Sequence, residues 1–299
     1  MAVLVDYSQV SIASILAFQN DLRTGSDEKI VNLIRHVILN SLLSNKAKFG
    51  PKYGELIICT DGKKYWRKDH FEYYKASRKK SREDSGLNWK LIFDTISQIK
   101  QDLIEYFPYK VVGYERAEAD DVIGVLTKYF QENETITQGL EEEPQKILIL
   151  SSDRDNVQLQ KYRNVAQWSP MQKKVVKPET TAHNALIEKI CSGDAGDGVP
   201  NLLSADDVFV TEGARQKPFR KTRLQEFYEQ GIAACKTDEE RRNYHRNELL
   251  VSYDKIPLDI EQAILDTYKT TEIKGNRRKI MEYLTAHNCR NLMNSIEDF

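Results

Sequence analysis

An α/β fold with a mainly parallel central sheet flanked by helices is predicted by three features of this 299-residue chain. Short apolar runs at 2–8, 54–62, 109–116 and 146–152 alternate with stretches whose apolar residues recur at helical spacing. Each of the four runs ends in an acidic residue or is soon followed by one. From about 182 onward the pattern is mostly helical, which predicts a helical C-terminal half.

Taken in order, "AVLVDYS" (2–8) reads as a short buried strand. A helix follows over 29–50, closing on a glycine. "GELIICTDG" (54–62) is a second buried strand, and a basic, aromatic stretch occupies 63–85. An amphipathic helix is expected over 87–107, a third strand over 109–116, and a helix with acids in its first turn over 117–130. The polar segment 131–145 reads as a loop, 146–152 as the fourth strand, and "NVAQWSP" with "KKVVKP" as edge strands. The expected division is an α/β core over 1–181 and a helical region over 182–299. No internal repeat is visible.

The composition is that of a soluble globular protein, at 40% hydrophobic and 30% charged residues, and this excludes general disorder. No window is long and apolar enough for a membrane helix. The N-terminus meets Asp6 early and has no basic lead, so no signal peptide is expected. Cys59, Cys191, Cys235 and Cys289 stand far apart, giving neither a zinc pattern nor a disulfide framework; a reducing, cytoplasmic setting is expected. The net charge of −1 is unevenly spread: 63–82 holds nine Lys/Arg against two Asp/Glu, and 214–223 holds five against none.

The acids carry the functional reading. Asp6 lies at the end of the first strand and Asp61 at the end of the second; Glu118, Asp120 and Asp121 follow the third, and Asp153 and Asp155 the fourth. In an open parallel sheet the carboxyl ends of the strands face one crevice. A single aspartate after a strand is as often a helix cap, but caps do not require pairs of acids after four strands. Seven like charges gathered together repel unless cations neutralise them. Oxygen-only ligation, with no histidine near these motifs, points to Mg²⁺ or Mn²⁺ and leaves no histidine general base. Asp194 and Asp197, three apart in a glycine-rich loop, add a second acidic pair that could complete another metal site.

"VDYSQ", "YWRKDHFEYYK" with "SRKKSREDS", "AEADDVIGVL", "KILILSSDRDNVQL", "NVAQWSPMQKKVVK", "SGDAGDGV" and "NSIEDF" occur in order over nearly the whole chain. In this order they resemble the structure-specific 5′-nuclease superfamily, which includes flap endonucleases and the 5′-exonuclease domain of bacterial DNA polymerase I. Within it they resemble in particular the ribonuclease H enzymes of T-even bacteriophages. The resemblance implies a PIN-like sheet core, an arch at 63–85 and a helical C-terminal half with a divergent helix–hairpin–helix. It implies hydrolysis of a phosphodiester near a 5′ end with two Mg²⁺ ions, for which Mn²⁺ substitutes. By match, Asp6, Asp61, Asp120 and Asp153 serve one ion and Asp155, Asp194 and Asp197 the other, with Glu118 and Asp121 in the same shell. Asp153 and Asp155 thereby count as catalytic, together with Lys75 and Arg78, which match positions that approach the scissile phosphate. Arg67, Lys68, Lys79, Lys80 and Arg82 would gather the phosphate backbone, and Tyr74, with Tyr65, Trp66, Phe71 and Tyr73, would stack bases.

The sequence departs from that family at 198–210, where "GVPNLLSADDVFV" has few glycines and adds Asp206 and Asp207. The departure leaves open whether that hairpin binds a potassium ion or DNA, and Arg215, Lys217, Arg220 and Lys221 are expected to take over some of the duplex contact. Only five residues precede Asp6, so docking on a sliding clamp through an N-terminal leader is not expected. The implied partners are an RNA–DNA hybrid, nicked or flapped duplex DNA, a single-strand-binding protein and a replication clamp. The chain is expected to act as a monomer in the cytoplasm, that of the host cell if it is a phage protein. An aspartate-based phosphatase would want paired acids on the first strand, and a non-catalytic DNA-binding module would have lost some of the matched acids. A PIN-domain ribonuclease shares the acids but is about half this length.

Overall fold

β1 (Ala2–Asp6) and β6 (Ile147–Leu150), with β2 (Glu55–Thr60) and β3 (Lys110–Gly113) before β6 in the chain, form the centre of a six-stranded sheet of order β3-β2-β1-β6-β7-β8. β7 is Val165–Ser169 and β8 is Lys174–Val176; β4 (Thr135–Gln138) and β5 (Glu141–Pro144) pair separately. The computed structural model describes residues 1–133, 135–138 and 141–299, with the side chains of all but 79–81, 135–138 and 141–142. The sheet is parallel from β3 to β7, with Leu4 opposite Ile57 and Ile149, and only β8 runs antiparallel. The chain travels outward from β1 to β2 and β3, then returns to the far side of β1 at β6. That reversal opens the crevice at the carboxyl ends of β1 and β6.

Every residue of β1 and β6 is buried, because helices cover both faces, so these strands read as unbroken apolar runs. Val3, Val5, Leu56, Ile58, Leu148 and Leu150 face a layer formed by the helices Asp27–Tyr53 and Trp89–Tyr106. Leu4, Ile57, Val112, Ile147 and Ile149 face the helix Ala119–Glu132. Each such side chain contributes about 1.5–3 kcal/mol when fully buried. The C-terminal half is helical and serves every core. Ile260 and Ile264 pack on the second layer, Ile280, Tyr283 and Phe299 on the first. A third cluster joins Ile187, Ile190, Leu224 and Phe227 to Phe71 and Tyr74 of the basic stretch.

Three local expectations are corrected. Within the segment 131–145, expected as a loop, β4 and β5 pair antiparallel, with Ile136 opposite Glu143. A two-stranded ribbon can form on backbone pairing, so no alternating apolar pattern announced it. The helix expected to stop at Gly50 runs on to Tyr53 through Pro51, and ends where Gly54 takes φ 86°. A Cβ there would meet the Met1 carbonyl oxygen at 2.6 Å, so only glycine fits the turn into β2. The helices Tyr7–Leu16 and Gln19–Thr24 were not anticipated. Among the described residues, no helix is long and apolar enough to cross a membrane.

Candidate active site

Asp6 ends β1 and caps the next helix, accepting the Gln9 N–H at 3.0 Å and the Ser151 hydroxyl at 3.0 Å. Asp61, just past β2, accepts the Ala119 N–H at 3.1 Å. Asp120 lies in the first turn of Ala119–Glu132 and accepts the Asn156 amide at 3.0 Å. Asp153 caps the short helix after β6 and accepts the Asp155 N–H at 2.9 Å. All four therefore meet at the carboxyl edge of the sheet, held by neutral donors, and none forms an ion pair among the described residues. The result is electrostatic crowding. Burial and then Asp61 push the Asp6 carboxyl up to about 7. Burial, then Asp153 and Asp6, raise Asp120 well above the usual carboxylate range.

The remaining acids are met by cations. Glu118 is buried and pairs with Arg67 at 2.9 Å and with the Lys75 ammonium. Asp197 receives Lys75 at 3.5 Å, the Arg78 guanidinium and the Tyr74 hydroxyl at 2.9 Å. Burial works against ionisation of Asp197, but Lys75 and Arg78 outweigh it and hold the carboxyl below its ordinary value. Asp155 and Asp194 share the Lys189 ammonium, at 2.7 and 2.5 Å. Asp155 is still pushed up to about 7, by burial first and by Asp153 second.

Several expected side chains stand elsewhere than the sequence suggested. Asp121 is wholly buried: it pairs with Arg67 at 2.8 Å, accepts the Trp66 indole N–H at 3.1 Å and closes a capping box with Glu118. It fastens the helix start and does not face the crevice. Arg67, expected on phosphate, is 3% exposed and also donates to the Leu250 carbonyl at 2.7 Å, so it offers nothing to a nucleic acid. Losing one partner of such a buried pair costs about 3–5 kcal/mol. Tyr74, expected to stack bases, is buried with its hydroxyl on Glu118 and Asp197, and Trp66 and Phe71 are buried as well. Lys68 and Arg82 are exposed, as are Arg215, Lys217, Arg220 and Lys221. The side chains of Lys79 and Lys80 lie outside the described residues. Lys75 adopts φ 59°, with its N–H on the Asp197 carbonyl at 2.7 Å. For a side chain this long, left-handed backbone is uncommon and is tolerated where the surroundings over-determine it.

The profile of the 5′–3′ exonuclease N-terminal resolvase-like domain matches residues 1–190, and that of the T4 RNase H C-terminal domain matches residues 181–299. The chain belongs to the 5′–3′ exonuclease family. Ribonuclease H of enterobacteria phage T4 is 36% identical to it over 306 aligned residues, covering 99% of this chain and 95% of that one. A T5 protein co-crystallised with metal ions has the same fold, with TM-score 0.60 and 14% identity over 91% of this chain and 99% of that one. So does the bacteriophage T5 flap endonuclease in a pseudo-enzyme–product complex with DNA and metal ions, with TM-score 0.55 and 14% identity over 90% and 99%. This 5′-nuclease is a phosphodiester hydrolase, and a requirement for a divalent metal goes with the family.

The residues of this 5′-nuclease fit such an ion. The donors are all oxygen, the acids at the sheet edge form no ion pair among the described residues, and an ammonium already bridges Asp155 and Asp194 as a cation would. Among the described residues, no three acids or imidazoles stand close enough to enclose an ion as they are placed. Sequence reading missed Lys189, Ser151 and Asn156. The last two lie inside "SSDRDN", where a hydroxyl and an amide beside the acids were a readable signal. Lys189 gave none, since a lysine in the last turn of a helix is ordinary.

Proposed function

We propose that the chain removes RNA primers and adjoining DNA from lagging-strand fragments, acting as a two-Mg²⁺ 5′→3′ exonuclease and flap endonuclease with ribonuclease H activity. The observation that carries the reading is the convergence of Asp6, Asp61, Asp120 and Asp153 at the β1/β6 edge with no ion pair among the described residues. These four would hold one ion, and Asp155, Asp194 and Asp197 the other, with Glu118 beside both. Bound there, divalent ions would make water a stronger acid and offset the charge of the scissile phosphate, and Mn²⁺ would substitute for Mg²⁺.

The chain's own residues do the positioning. Lys75 and Arg78 rest on Asp197 and Glu118 at the mouth of the crevice. They exchange those carboxylates for the scissile phosphate, so that their charge meets the extra negative charge of the transition state. Burial opposes the Lys75 ammonium but Asp197 and Glu118 overcome it, so it stays protonated at any working pH. Lys68, Lys79, Lys80 and Arg82 gather the strand. Arg215, Lys217, Arg220 and Lys221 grip the duplex from a segment fixed to the turn before it: the Asn201 amide bonds the Lys217 carbonyl at 2.7 Å, and the Lys217 N–H bonds Ser204 at 2.9 Å. On this reading 1–181 is the nuclease core and 182–299 the duplex-binding part. The chain acts as a monomer in the cytoplasm, with a single-strand-binding protein and a clamp as partners.

The test is incubation with three 5′-labelled substrates, a nicked RNA–DNA hybrid, a nicked DNA duplex and a 5′-flap. Mg²⁺-dependent release of short 5′ products from the hybrid is expected, and product lengths separate exonuclease from flap cutting. An RNA strand left intact under conditions in which the flap is cut would overturn the primer-removal role.

A further inference from the structure

Lys189 lies in the last turn of the helix Ala182–Ser192, and its ammonium reaches between Asp155 and Asp194. Neither acid has another cationic partner among the described residues. The placement is built. Gly193, at φ 69°, turns the chain so tightly that a Cβ would meet the Val199 carbonyl oxygen at 2.3 Å. A bridge between Asp194 and Val199 then returns Asp194 to the lysine, and Asp194 accepts the Gly196 N–H at 2.8 Å on its other oxygen. A helix-terminal lysine that merely answers the helix dipole would lie in solvent, whereas this side chain is 26% exposed.

We propose that Lys189 is the resident counter-ion of the second carboxylate pair, holding Asp155 and Asp194 in place without a divalent ion and competing with that ion for the same oxygens. The inference rests on the two-cation reading above. Mg²⁺ or Mn²⁺ needs carboxylate oxygens at about 2.0–2.2 Å, inside the distance at which an ammonium bridges them. Two cations sharing one pair of carboxylates repel, so the ammonium must swing away as the ion enters. The ion at Asp155 and Asp194 therefore binds more weakly than the one at the cation-free acids. Lys189 is thus a positioning residue that sets the order in which the two sites fill.

The test needs no substrate. Mn²⁺ binding to the full chain is followed by electron paramagnetic resonance, with thermal melting in chelator alongside. Wild type is expected to bind one Mn²⁺ tightly and one weakly. Lys189→Met should tighten the weak site by about tenfold or more while leaving the tight one nearly unchanged, since a like charge a few ångströms away has been removed. The same variant should melt lower in chelator and recover on adding Mn²⁺. Lys128→Met, at a distant surface lysine paired with Glu261, controls for net charge and should move neither constant. If Lys189→Met does not fold, Lys189→Gln is read on the same two constants. A weak site that is unchanged or lost in the neutral variant overturns the counter-ion role alone. A wild-type chain that binds fewer than two Mn²⁺ ions overturns both this inference and the two-cation reading.

Discussion

The two halves of the acid cluster handle charge in opposite ways. Asp6, Asp61, Asp120 and Asp153 are held by backbone N–H groups, a serine and an asparagine, and form no ion pair among the described residues. Glu118, Asp194 and Asp197 are each held by lysine or arginine. Asp155 stands at the border, paired with Lys189 yet raised by Asp153. Neutral donors orient a carboxylate without satisfying its charge, so the first half is pre-organised for an external cation. The second half is already neutralised by the chain, and a ligand arriving there must displace something. Lys75 and Arg78 rest on carboxylates of this second half, from which, on the proposed function, they would be released toward the substrate.

The largest effect expected from this contrast is on turnover. Asp120→Asn removes charge from the half that has no substitute for an ion, and should cut single-turnover cleavage of a labelled RNA–DNA hybrid by about a thousandfold or more, with nucleic-acid binding largely kept. Asp194→Asn removes charge from an acid that Lys189 already neutralises, and should cost at least about tenfold less. Equal losses at the two positions would remove the distinction between the halves.

A smaller loss is expected at the arch. Lys75→Ala should lower the single-turnover rate about a hundredfold, or roughly 3 kcal/mol, while substrate affinity falls much less. The reason is differential: a cation beside the scissile phosphate meets more negative charge in the transition state than in the ground state. A normal rate with weaker binding would place Lys75 in the basic face alone and leave the acids untouched.

How far the sequence disclosed this arrangement depended on where burial is decided. β1, β2 and β6 were legible as buried apolar runs and β3 by its Val111–Val112 pair, and the acids after them were legible as positions, since a strand end fixes where the next residue lies. The partners of the acids were not. Arg67 and Tyr74 lie in a stretch whose charge reads as a solvated or substrate-facing surface, yet tertiary contact with Glu118, some fifty residues on, draws both inside. Lys189 was invisible for the same reason: its role exists only because the turn at Gly193 brings Asp194 back to it. The pair β4 and β5 escaped because polar strands outside the main core carry no apolar period.

The smallest effect is on stability, and its sign separates the halves again. A carboxyl whose pKa is raised in the folded state binds protons that the unfolded chain has already lost. Asp6 and Asp155, both near 7 against an ordinary 3.8, therefore make the metal-free protein less stable as pH rises from about 4 to about 7, after which their contribution is constant. Asp197, held low, acts in the other direction: its contribution is complete above its ordinary value and is lost only as the solution becomes more acidic than that. In chelator, the melting temperature should fall between pH 5 and pH 8, each kcal/mol lost lowering it by roughly 2–4 °C. Millimolar Mg²⁺ should cancel that fall at pH 8, because an ion that binds only the ionised acids stabilises the native state by mass action. Asp6→Asn should flatten the slope in chelator, and Asp197→Asn should leave the slope between pH 5 and pH 8 intact. A melting temperature in chelator that is level across this range would mean that the first half is not charge-starved, and the contrast between the halves would then rest on geometry alone.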